Sequence, residues 1–322
     1  MNNYSFLEKL LHKIALSSNL MREITFDIDT FFQKSSNLSD DHIFVSGLAR
    51  SGSTILLNAI YESNEFASLS YSDMPFVLAP NLWSKISSNF NPTSLVERAH
   101  GDGIKISSNS PEAFEEVFWR TFDDSEIESH KKFISYVNSI SQSYKKDRYL
   151  SKNNQNIKRV DLILDIFPNS KVLIPFRDPV QHANSLLTQH IKFLNESSSN
   201  SFTSQYMHLI GHTEFGFNYE PLHAEGLSFK DDLEINHWME QWIKMYERLI
   251  GEFQDSQNVH FVCYEKLCMS EDYWQEILKL LNVKNKYEFN FTQSIKDIQT
   301  LIDQDLLERS SNIYKKLFTA SN

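Results

Sequence analysis

The run Asp41-His-Ile-Phe-Val-Ser-Gly-Leu-Ala-Arg-Ser-Gly-Ser-Thr-Ile-Leu-Leu-Asn-Ala-Ile60 constrains this chain more than any other stretch. His42 to Ser46 reads as a short buried strand and Gly47 to Gly52 as a tight loop. Ser53 to Tyr61 reads as a helix with Ile55, Leu56, Ala59 and Ile60 on its apolar side. A strand, a glycine-bounded loop and a helix form a phosphate cradle, because successive backbone N–H groups and the helix N-terminus converge on one anion. The glycine pair has the Gly-x4-Gly spacing of a phosphate-binding loop, but Ser53 stands where that motif carries lysine. A loop without this lysine is poorly equipped to stabilise a transferring γ-phosphoryl group. The positive charge sits instead at Arg50, two residues before the second glycine. Read by itself, the stretch is also compatible with an ordinary strand-to-helix connection.

A second stretch repeats the geometry. Lys171-Val-Leu-Ile-Pro-Phe176 reads as a strand and runs directly into Arg177-Asp-Pro-Val-Gln-His-Ala-Asn-Ser185. An arginine at a strand end offers a forked guanidinium to a phosphate, and a hydroxyl one to two turns into the next helix adds a further hydrogen bond. Alone, Arg177-Asp178-Pro179 also fits a common strand-to-helix turn with a local ion pair. Both loops lie at the C-terminal ends of predicted parallel strands, where open α/β sheets bind ligands. Pro175 lacks an N–H, which predicts an edge position for this strand or an early loss of its pairing.

Taken together, Gly47-Leu-Ala-Arg-Ser-Gly-Ser-Thr54 and Arg177 to Ser185 resemble the sulfotransferases that use 3′-phosphoadenosine 5′-phosphosulfate (PAPS). The likeness is to bacterial-type members and to the branch written Pro/Ala-Arg-Ser-Gly-Thr/Ser-Thr, which includes the tyrosylprotein sulfotransferases, and it covers about residues 41–281. The resemblance implies an α/β fold with three layers, a P-loop-like arrangement whose central, mainly parallel sheet is flanked by helices. It implies that Gly47, Arg50, Ser51, Gly52, Ser53 and Thr54 hold the 5′-phosphosulfate and that Arg177 and Ser185 hold the 3′-phosphate. No metal is required by such chemistry. Lys152, at the end of the predicted strand Arg148 to Asn154, matches a lysine that the family places near the leaving oxygen, although Asn153-Asn154 replaces the usual Asp-Pro.

The family also places an acidic base after the next strand. Asp73, in Phe66-Ala-Ser-Leu-Ser-Tyr-Ser-Asp-Met-Pro-Phe76, is the candidate, two residues further from Arg50 than the family pattern. The competing reading is that Asp73 only caps or turns the chain before Met74-Pro75. His100, in the turn-rich His100-Gly-Asp-Gly103, is the second candidate base.

Composition narrows the partners. With 42 Asp+Glu against 31 Lys+Arg, the chain lacks the clustered positive charge of a nucleic-acid binder, so an anionic nucleotide needs a local basic pocket. Cys263 and Cys268 are the only cysteines and exclude a disulfide framework or a four-cysteine zinc site. No apolar run reaches bilayer length, and the N-terminus has no secretory pattern, which predicts a cytoplasmic protein. Phe6, Leu7, Leu10, Leu11 and Ile14 recur at helical spacing, as expected for a helix packed on the domain or in a homodimer contact.

Further helices are expected over 111–120, 126–146, 157–167, 230–250, 271–281 and 292–318, with a strand over 259–263 followed by Tyr264-Glu265-Lys266-Leu267. Asn195 to Ser204 reads as a loop over the site, and the His- and Phe-rich 206–221 as an acceptor wall or as packing. The organisation expected is one domain over 1–322, with an N-terminal helical extension to 40, a core over 41–281 and a helical C-terminal segment over 282–322. The acceptor expected is a hydroxyl or amine of a small molecule or saccharide. Two rivals share the loop geometry: a P-loop kinase or NTPase using ATP or GTP with magnesium, and a non-catalytic nucleotide-binding protein of the same fold.

Overall fold

The computed structural model describes Ala15 and residues 18–33, 39–87, 96–97, 105–106, 109–197, 211, 213–223, 226–284, 287–293 and 295–321. In chain order these form α1 (Asn19–Phe31), β1 (Ile43–Val45), α2 (Ser53–Tyr61), β2 (Phe66–Ala67), α3 (Pro80–Ser87), β3 (Val96–Glu97) and β4 (Lys105–Ile106). There follow α4 (Glu116–Trp119), α5 (Ile127–Tyr144), β5 (Arg148–Lys152), α6 (Val160–Ile166), β6 (Lys171–Phe176) and α7 (Pro179–Ser197). The last elements are α8 (Ile235–Phe253), β7 (Val259–Cys263), α9 (Tyr264–Met269), α10 (Glu271–Leu280) and α11 (Gln304–Ala320). No helix among the described residues is long and apolar enough to cross a membrane.

Five strands form one sheet in the order β2-β5-β1-β6-β7, with every pairing parallel. From β1 the chain first builds β2 and β5 on one side and then crosses to β6 and β7 on the other. The end of β1 is therefore a switch point, where loops from neighbouring strands diverge and leave a crevice. Strand alternation explains the layers. Ile43 and Val45 pack with Leu56, Leu57, Leu150, Leu173, Val262 and Trp274 on one face. Phe44 points the other way, into the cluster holding Tyr149, Phe133, Val172, Ile174 and Phe176. The α/β, three-layer architecture expected from the sequence is the one observed.

The proline in β6 has a specific accommodation. β6 is interior, so it is not the edge strand that Pro175 suggested, but its pairing with β1 does end early. β1 is only three residues long and reaches Leu173, while Pro175 still pairs in register with Val262 of β7. The side of Pro175 that lacks a donor thus has no strand to satisfy, and its carbonyl accepts from Tyr246 Oη at 2.7 Å.

Other expectations shift where tertiary contacts override local pattern. Ser110-Pro111 does not open a helix: Pro111 bridges Ser70, Glu112 N–H donates to Leu69 O at 3.0 Å, and only Glu116–Trp119 is helical. Gly251 does not end α8, which continues to Phe253. Of residues 292–318, only those from Gln304 onward are helical.

Beneath the exit of β5 lies a buried polar cluster. The Glu115 carboxylate, wholly enclosed, accepts from Trp119 Nε1 at 3.2 Å, from Tyr149 Oη at 3.0 Å and from Asn156 Nδ2. Its neighbour Glu116 takes Arg159 at 2.8 Å and Asn153 Nδ2 at 2.8 Å. Burial pushes the Glu115 carboxyl above the ordinary range, opposed by these donors. Replacing Glu115 by Ala strands three donors in the core and is expected to destabilise by about 3 kcal/mol or more, read as a lower urea midpoint at unchanged slope.

Candidate active site

The first loop is held at its root from both neighbouring strands. Asn153 N–H donates to Val45 O at 3.1 Å on the β5 side, and Ser46 N–H donates to Leu173 O at 2.9 Å on the β6 side. Beyond that root, Ser51 N–H closes a turn on Leu48 O at 3.2 Å. Arg50 takes the left-handed region at φ 67°, and Gly52 at φ 96° serves as N-cap of α2. A Cβ on Gly52 would lie 2.5 Å from Tyr264 Cδ2, so both the backbone and the packed tyrosine require glycine there. Gly47 lies against the Pro175 ring, 3.1 Å from a built Cβ. Ser53 is buried, Thr54 is half-buried, and the first turn of α2 has no acidic residue. Ser51 Oγ is buried with no hydrogen-bond partner among the described residues. A helix N-terminus with amides, hydroxyls and an arginine gathered on a tight loop fits an anionic phosphate group.

The second loop leaves β6 beside it, because β1 and β6 are adjacent. Asp178 Oδ1 accepts Gln181 N–H at 2.9 Å and caps α7, whose first residue is Pro179. Asp178 N–H in turn donates to Glu265 Oε1 at 2.9 Å, and Tyr314 Oη of α11 donates to Glu265 Oε2 at 3.2 Å. The Arg177 guanidinium lies 5.8 Å from the centroid of the Tyr264 ring, the same ring that packs on Gly52.

Two side chains of α7 reach back to the first loop. Arg50 Nε donates to Ser185 Oγ at 3.2 Å, and His182 Nε2 lies 2.8 Å from Ala49 O. Only an N–H can face a carbonyl oxygen, so His182 carries its proton on Nε2. Burial, assisted by the charges of Arg177 and Arg50, lowers its pKa to about 3, and the ring is neutral through the physiological range.

Lys152 lies in register with Val45 at the root of the first loop and is buried. Asn153 accepts Gln155 N–H at 3.0 Å and caps the 3-10 turn over Asn154–Lys158, and Asn154 Nδ2 donates to Glu214 Oε1 at 2.9 Å. Asp73 closes a 3-10 turn after β2 and is buried. Its Oδ2 accepts Ser70 N–H at 2.7 Å, Ser70 Oγ at 3.2 Å and Tyr144 Oη, whereas Oδ1 takes no hydrogen bond among the described residues. Burial raises the Asp73 pKa, and the bonds from Tyr144 and Ser70 partly offset the rise.

The structure thus brings Gly47, Arg50, Ser51, Gly52, Ser53, Thr54, Lys152, Arg177 and Ser185 to one end of three adjacent strands. Asp73 follows the strand beyond them, and none of its hydrogen bonds reaches Arg50, Lys152 or Arg177. His100 lies outside the described residues. Sequence reasoning missed His182, although its three-residue spacing from Ser185 places both on one helical face. It also missed Tyr144, whose contact spans 71 positions and leaves no local signal.

Fold and loops together define an α/β protein of P-loop-like architecture, with a glycine-bounded loop at the switch point of a parallel sheet. A family model described as the sulfotransferase family matches residues 42–284, and the chain belongs to that family. No curated protein sequence matches it. Among solved structures, sulfotransferase STF1 of Mycobacterium tuberculosis H37Rv is 12% identical with a TM-score of 0.48, over 95% of this chain and 81% of that one. STF9 of Mycobacterium avium is 12% identical with a TM-score of 0.45, over 97% and 78% respectively. A sulfotransferase of Alicyclobacillus acidocaldarius is 14% identical with a TM-score of 0.42, over 87% and 94%.

Two glycines offer a contrast that checks the loop geometry. Gly52→Ala is expected to cost about 1–3 kcal/mol through its left-handed backbone and the Tyr264 clash. Gly251→Ala, inside α8 with nothing within 4 Å of a built Cβ, is expected to stabilise by about 0.5–1 kcal/mol. Thermal melts of the two variants read both signs.

Proposed function

We propose that this protein is a PAPS-dependent sulfotransferase acting on a hydroxyl or amine of a small molecule or saccharide. The observation that supports the reading is the Arg50 to Ser185 hydrogen bond, which links the two loops proposed to hold the donor's phosphates. The arginines, hydroxyls and loop amides suit the charge of PAPS, which when bound would supply an activated sulfuryl group for in-line transfer to the acceptor. The N–H groups of Gly47 to Thr54, with Ser51, Ser53 and Thr54 hydroxyls, hold the 5′-phosphosulfate end. Arg177 and Ser185 hold the 3′-phosphate, Arg177 being kept in place by Tyr264 and by the Glu265-anchored turn.

Arg50 and Lys152 stabilise the charge that develops on the 5′-phosphate oxygen when its bond to sulfur breaks. A preorganised donor in such a position contributes on the order of 3 kcal/mol at the transition state. Asp73 is the base: Oδ1 receives the proton from the acceptor as the new bond to sulfur forms, while Oδ2 stays fixed by Ser70 and Tyr144. The raised pKa of its carboxyl makes it a stronger base than an exposed aspartate.

Calorimetric titration with adenosine 3′,5′-bisphosphate, AMP and ATP tests the nucleotide half. The wild type is expected to prefer the bisphosphate without magnesium, and Arg177→Ala is expected to lose about tenfold or more of that preference. Tighter binding of ATP with magnesium, indifferent to a 3′-phosphate, would reject the reading in favour of a kinase or NTPase.

The base is tested by pH. Asp73 must be ionised to accept a proton, so kcat/KM falls as pH drops through its raised pKa. Tyr144→Phe removes a bond that holds this pKa down and is expected to move the acid limb to higher pH. Asp73→Asn is expected to lose roughly a hundredfold or more in kcat with adenosine 3′,5′-bisphosphate affinity retained. An unchanged rate in Asp73→Asn would remove Asp73 from the reaction.

A further inference from the structure

The first loop has a conformation that its own residues do not favour. Arg50 is a non-glycine residue in the left-handed region, which persists only where surrounding contacts hold it. Within the loop, the Ser51 N–H to Leu48 O turn brackets the strained residue. The remaining restraints come from outside, and two of them come from one face of α7. His182 and Ser185 are three residues apart, so their side chains leave the helix side by side. His182 meets the Ala49 carbonyl at 2.8 Å, and Ser185 accepts from the Arg50 guanidinium at 3.2 Å. The two contacts therefore fall on the peptide that enters Arg50 and on the Arg50 side chain itself.

A trans peptide points its C=O and the following N–H in opposite directions. Drawing the Ala49 carbonyl toward α7 consequently turns the Arg50 N–H away from α7. Ser185 adds a link of its own. Its hydroxyl accepts from Arg50 and retains one hydrogen to donate, so it can touch a ligand phosphate while steadying the arginine of the other loop.

We propose that His182 is a positioning residue for the 5′-phosphosulfate loop, holding the Ala49–Arg50 peptide from α7 in the orientation that aims Arg50 and the loop amides at the donor. The inference deepens the functional reading above and rests on it. His182 touches no reacting atom in this role, and its contribution passes through the peptide that it holds. The side chain is fully buried, and its Nδ1 has no hydrogen-bond partner among the described residues. The Nε2 contact to Ala49 is thus its one polar link, and the loop conformation is what that link restrains. Because one helix face carries both contacts, a displacement of α7 at the 3′-phosphate site would shift the geometry of the 5′ site as well.

The test separates this role from general stability by comparing two nucleotides. Adenosine 3′,5′-bisphosphate uses both loops, and adenosine 3′-monophosphate uses only the second. The probes are titrated calorimetrically into the wild type, His182→Leu, His182→Gln and His182→Asn. Glutamine carries a terminal N–H at about the reach of Nε2, whereas the shorter asparagine does not. The expected result is a roughly tenfold loss of bisphosphate affinity in His182→Leu and His182→Asn, the size of one lost hydrogen bond, with 3′-monophosphate affinity within about twofold of wild type. His182→Gln is expected to recover most of the loss.

Equal weakening of both nucleotides in the variants, or no weakening of either, would overturn the inference while leaving the donor site intact. If His182→Leu does not fold, the glutamine and asparagine variants decide by the same ratio. A wild type that ignores the 3′-phosphate altogether would overturn the functional reading, and this inference with it.

Discussion

Much of this molecule depends on how a three-residue strand is held. β1 has pairing partners on both sides, and at its end Val45 O and Ser46 N–H are taken by Asn153 and Leu173. The first loop leaves the sheet where β1 ends, level with the end of β5 at Lys152 and before the end of β6. β6 runs three residues past β1 to Phe176, and the chain that follows β1 must turn back beside β6. That turn is the glycine-bounded loop, and its tightness forces left-handed backbone at Arg50 and Gly52.

The surroundings of the loop are built to hold that geometry. Tyr264 packs its ring on Gly52 and presents it to Arg177, so one aromatic side chain links the two loops. Glu265, the next residue, holds the Asp178 amide and is held by Tyr314 from the last helix. The C-terminal helix thereby contributes to a site whose two loops lie more than a hundred residues earlier. On the opposite flank, Glu115, Glu116, Arg159 and Asn156 fix the exit of β5 and with it Lys152. Each flank uses a buried carboxylate to hold the turn that follows its strand.

The replacement of the family's Asp-Pro by Asn153-Asn154 follows the same logic. Asn153 caps the turn after β5 and reaches Glu116, and Asn154 ties that turn to Glu214. An amide pair can donate and accept at once, which a proline cannot. Asp73 caps its turn, as one of the two readings open to it from sequence expects. One oxygen caps a turn and takes Tyr144, and the other is left without a hydrogen bond among the described residues.

Local physics made part of this legible from the residues alone. His42 to Tyr61 announces strand, loop and helix because glycine spacing and apolar periodicity are short-range signals, and α2 and β7 begin and end where those signals place them. The class of fold followed from the family resemblance that the two loops carry. Where long-range pairing competes with local pattern, the sequence misled: Pro111 joins a bridge to Ser70, and Pro175 lies inside the sheet because β1 is too short to need its missing donor. What tertiary structure alone decided is the joining of the loops. Arg50 meets Ser185, and His182 meets Ala49, across more than a hundred residues, and no local pattern encodes a contact that exists only once β1 and β6 are neighbours.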